Sequence, residues 1–111
     1  MKLFVIILKK SELLDDLLLH FAKEGIHGAT ILDSTGMAQL LAGKDGVSFF
    51  EGLKAFLDDE IYARTKTVLT VVKDYQIGTI NRVVDDVLGD LSQPNTAVMF
   101  SLPVDSARGF A

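Results

Sequence analysis

The chain has 111 residues, 49% of them hydrophobic, and a formal net charge of −4. That length and apolar share suit one domain with a core of its own and exclude a disordered chain. The acidic balance argues against a nucleic-acid surface, and the absence of cysteine removes disulfides, thiolate catalysis and zinc–thiolate sites.

Residues 3–8 are six consecutive apolar side chains, set between Lys2 and the pair Lys9-Lys10. A strand with one wet face alternates apolar and polar residues. This run does not, so it reads as a strand buried on both faces. It is shorter than the apolar segment of a secretory signal and far too short to span a bilayer, so a cytoplasmic protein is expected. Ser11 then stands where an N-cap belongs, ahead of Glu12, Asp15 and Asp16. Leu13, Leu14, Leu17, Leu18 and Phe21 recur on one helical face, and Gly25 supplies the stop. The spacing predicts a helix over 11–24, with Leu19 alone on its polar side.

Residues 29–35 form a short β-like run ended by Gly36. A long connection follows over about 36–64. Within it 43–46 is a turn, and Ser48 and Glu51 have capping-box spacing. Phe49, Phe50, Leu53, Phe56, Leu57 and Ile61 share a face, which predicts a helix over 48–60 that packs on the domain or on a neighbour. Residues 65–72 are rich in β-branched side chains and read as a strand. Ile77, Ile80, Val83, Val84, Val87, Leu88 and Leu91 share the apolar face of a second amphipathic helix, with Gly89 at or near its last turn, and 91–95 is a loop. The last strand spans 96–102 and stops at Pro103, which suits an edge position. Residues 105–111 form a small, polar and loose tail.

The order strand, helix, strand, insertion, strand, helix, strand is the ferredoxin-like α+β pattern: a βαββαβ sandwich with an antiparallel four-stranded sheet and a helical insertion between strands two and three. The first and third strands then lie in the middle, with both helices on one face. Leu3, Val5 and Ile7 point one way, and Phe4, Ile6 and Leu8 the other. One set meets the helices. The other set is worth a few kcal/mol if covered, at about 25 cal/mol per Å². A second copy of the chain is the expected cover, and the insertion helix is the competitor.

The chemistry-bearing residues do not form a known catalytic pattern. His20 and His27 lack a carboxylate or a second histidine at ligand spacing. Asp15-Asp16, Asp85-Asp86 and the run 58–60 read as solvated helix faces rather than cation sites. No Walker or nucleophile-elbow spacing occurs, and no serine has a visible base partner. Neither an enzyme nor a bound cofactor or metal is expected.

In layout, the whole chain resembles the PII-like family of trimeric regulatory proteins. The resemblance rests on the βαββαβ order at this length, on Gly25-Ile26-x-Gly28 closing the first helix, and on a second strand running from Thr30 to Gly36 before a long excursion. It implies a homotrimer with sheets buried between subunits. It also implies small effectors in the subunit clefts, and a T-loop over 36–64 that engages a regulated partner such as a membrane transporter or an enzyme. The cleft walls would be Thr30, Thr35, Gly36 and Met37, then Gly89, Asp90, Ser92, Gln93 and Asn95 of the loop after the second helix, and Arg108 from the tail. That loop departs from the family pattern: it has one glycine, no basic residue and an acid, Asp90. Such a loop repels a polyphosphate, so altered or absent nucleotide binding is expected. A small ferredoxin-like oligomeric enzyme or stress protein, and an ACT-like amino-acid sensor, are the alternatives.

Overall fold

A computed structural model describes residues 1–42 and 65–109. The run at the front forms β1 (Lys2–Leu8), with its side chains alternating between two environments. Phe4, Ile6 and Leu8 are buried, whereas Leu3, Val5 and Ile7 are half-buried. The chain then makes a 3-10 turn at Ser11–Leu13 and enters α1 (Leu14–Lys23). Strand β2 (Thr30–Ser34) leads into a short helix, α2 (Met37–Ala42). Strand β3 (Thr65–Val72) is followed by a 3-10 turn at Asp74–Gln76, by α3 (Ile77–Leu88) and by β4 (Ala97–Pro103).

The four strands form one sheet in the order β2-β3-β1-β4, and every neighbouring pair is antiparallel. This is the ferredoxin-like arrangement, with β1 and β3 central and the proline-ended β4 on an edge. The core lies between the sheet and the two long helices. Phe4, Ile6, Leu8, Val68 and Val72 meet Leu17 and Phe21 of α1, and Ile80, Val83, Val84 and Leu88 of α3. An exposed ion pair, Arg82 to Glu24 at 3.0 Å, joins α3 to the end of α1 and contributes little at such exposure. Among the described residues no helix is long and apolar enough to cross a membrane.

Several sequence expectations need correction. Ser11 makes no capping bond; the turn closes through the backbone instead, with Leu13 N–H donating to the Lys10 carbonyl at 3.0 Å, and the α-helix starts three residues later. Leu91 shares the apolar spacing of the second helix but lies in the loop over 91–95, as read from the sequence. Gly89 adopts φ 74°, a conformation that L side chains rarely take, and turns the chain away; Leu91 then packs against the core from the loop. Helix α2 was not expected, because six residues are too few for a periodicity to show. The helix expected over 48–60 lies outside the described residues. Leu19 projects outward as its place on the helix predicts, 58% exposed.

Candidate functional site

The cleft residues named from sequence fall into three places. At one end of the sheet, Leu8, Ser34, Thr65 and Ala97 are the strand termini. Thr35, Gly36 and Met37 follow β2 at that end, and the 89–95 loop precedes β4 at the same end. They sit at opposite edges of the sheet, about 14 Å apart at a strand spacing of about 4.8 Å. Thr30 lies further along β2, opposite Leu69. Arg108 follows β4, whose last residue pairs with Lys2 at the far end of the sheet. One copy of the chain therefore does not gather these residues around a single point. Of the set, only the two end clusters share an end.

The loop 89–95 is built around its own carboxylate. The Ser92 N–H donates to Asp90 Oδ1 at 2.9 Å and the Ser92 hydroxyl at 2.7 Å, while Gln93 N–H donates to the Asp90 carbonyl at 3.1 Å. The Ser92 hydroxyl and then its N–H hold the Asp90 carboxyl below the ordinary carboxylate range. Asn95 completes the turn with φ 59°. Two N–H groups that a phosphate-binding loop could offer are already used within the loop, that of Ser92 by the Asp90 carboxylate and that of Gln93 by the Asp90 carbonyl.

Behind this loop, Thr96 is buried, and its carbonyl accepts bonds from the N–H groups of both Lys9 and Lys10. Its hydroxyl has no partner among the described residues. On the other edge, Lys66 pairs with Asp33 across β3 and β2, and the Thr67 hydroxyl donates to the Ser34 hydroxyl oxygen at 2.8 Å.

The larger feature is the sheet face opposite α1 and α3, on which no helix lies among the described residues. The register brings Leu102, Leu3 and Val71 into one row, Phe100, Val5 and Leu69 into the next, and Val98, Ile7, Thr67 and Leu32 into a third. Val98, Phe100 and Leu102 are each 45–47% exposed. With strands about 4.8 Å apart and same-face residues about 6.6 Å apart along each strand, the ten residues project to about 320 Å². Patches of that size on monomers are commonly interaction surfaces. At its margin α2 exposes Met37 and Leu40, three residues apart on one helical face.

The histidines stand apart. His20 donates from Nδ1 to the Asp16 carbonyl at 2.8 Å, and His27 is exposed in the turn before β2. Among the described residues no three His, Asp or Glu side chains are grouped to hold a metal ion. Neither a family model nor a curated protein matches the chain.

Proposed function

We propose that this is a regulatory protein of the PII-like kind, cytoplasmic and homotrimeric. It would bind a small effector in clefts between subunits and engage a partner protein through the 36–64 excursion, the partner being a membrane transporter or an enzyme. The observation that carries this reading is the open apolar face described above, on a ferredoxin-like sheet whose second and third strands are joined by that excursion. Burial of the face between copies would also bring the 89–95 loop of one subunit towards elements of another, as a cleft requires. Met37 and Leu40, exposed at the start of the excursion, supply apolar anchors for a partner. The self-bonded Asp90 loop argues that the effector carries no polyphosphate.

Light scattering at micromolar concentration tests the assembly: a trimer is expected, and a strict monomer overturns the proposal. Thermal shift with ATP, ADP and AMP tests the loop argument. Little or no stabilisation by ATP is expected, whereas a large shift would show that Asp90 is displaced to admit phosphate.

A further inference from the structure

A cavity of about 500 Å³ lies at the end of the sheet opposite the 89–95 loop. That volume is in the range of small-molecule sites. Ile26 and Val72, both buried in the core, form its apolar floor. One wall is the turn from α1 to β2, which brings Gly28 and His27. The other is the turn after β3, which brings Lys73, Tyr75 and Gln76.

We propose that this cavity binds a small organic anion built on a planar ring, an aromatic carboxylate or phosphate. Its electrostatics favour an anion. Asp74, which lies between the lining residues Lys73 and Tyr75, is engaged by the Met1 amino group at 2.9 Å. The side chains lining the cavity itself include the cation of Lys73 and the imidazole of His27, but no carboxylate. On a chain of net charge −4 this is a local reversal of sign. The rim favours a ring. Tyr75 stands at the mouth with 83% of its surface exposed, which is unusual for so large an aromatic side chain, and its free face can stack on a planar ligand. Gln76 is fixed beside it, because its Oε1 accepts from Lys73 N–H at 2.9 Å and its amide N–H groups remain as donors. The open wall comes from glycine: a Cβ built on Gly28 meets nothing within 4 Å, and Gly28 is not among the residues with positive φ. A side chain at 28 would therefore project into open space without backbone strain. The proposal is independent of the trimer reading, since every wall belongs to one copy.

The test is amide NMR on the intact chain, titrated with benzoate, phenyl phosphate, inorganic phosphate and benzylamine. Saturable shifts at Gly25, Gly28 and Gly109 are expected with benzoate or phenyl phosphate, and which of the two binds tighter names the anionic group. Binding should weaken at least tenfold in Lys73→Gln and be lost in Gly28→Leu, with the melting temperature of Lys73→Gln unchanged. No saturable shift with either ring-bearing anion overturns the proposal. So does equal binding of benzylamine, or equal binding of inorganic phosphate alone. If Gly28→Leu fails to fold, Lys73→Gln still decides: unchanged affinity in that variant refutes the site.

Discussion

The two faces of the sheet are made of nearly the same residue types and live in different surroundings. On one face, Phe4, Ile6 and Leu8 are closed in by α1 and α3, and Ile6 and Leu8 have no exposed surface at all. On the other, Leu3, Val5 and Ile7 are half-buried beside their strand neighbours, and the β4 side chains beside them remain nearly half exposed. Hydrophobicity alone did not assign these roles. What separates the faces is connectivity: each β-α-β crossover carries its helix to the same side of the sheet, and both helices consequently pack on one layer.

The sharpest way to break the comparison is a charge on each face in turn. Ile6→Asp places a carboxylate in a site with no water and no partner, and is expected to abolish cooperative thermal unfolding as followed by circular dichroism. Val5→Asp, one residue away on the open face, is expected to leave a folded chain of lower oligomeric order by light scattering. If both variants simply unfold, the open face is covered by this chain's own residues rather than by another copy. Smaller in effect is Leu17→Ala, which removes a fully buried α1 side chain from the closed face; it should cost about 2–5 kcal/mol in denaturant unfolding. The smallest effect runs the other way. The Thr96 hydroxyl is buried without a partner among the described residues, so Thr96→Val keeps the shape, deletes the orphan group and is expected to stabilise by about 1 kcal/mol.

Much of this fold could be read from the chain. The β3 boundaries agree to the residue, because 65–72 carries a dense β-branched run between turn signals. Gly25 stops α1 as expected, with φ 86°. Where expectation failed, a short-range rule met a competing local geometry. Ser11 has capping chemistry, but a 3-10 turn took its place. The candidate cleft was less legible. Its residues came from a resemblance, and one copy of the chain leaves them divided between two edges and two ends of the sheet. The cavity at the other end went unseen because its walls, 25–28 and 73–76, are far apart in sequence. They meet only because α1 and β3 finish at the same end of the sheet.

Apolar side chains on both faces of β1 have a consequence for how the strand finds its place. In most strands a slip of one residue is punished by turning polar groups into the core. Here such a slip would exchange Ile6 for Val5 or Ile7, and the penalty is one of shape rather than polarity. Register must then be held at the ends. At one end Lys9 and Lys10 both donate to the Thr96 carbonyl, and at the other Val104 donates to the Met1 carbonyl at 3.1 Å. These backbone clasps bracket the β1–β4 pairing like pins through a hinge. They specify the alignment of the central strand where its own side chains, read as polar or apolar, do not.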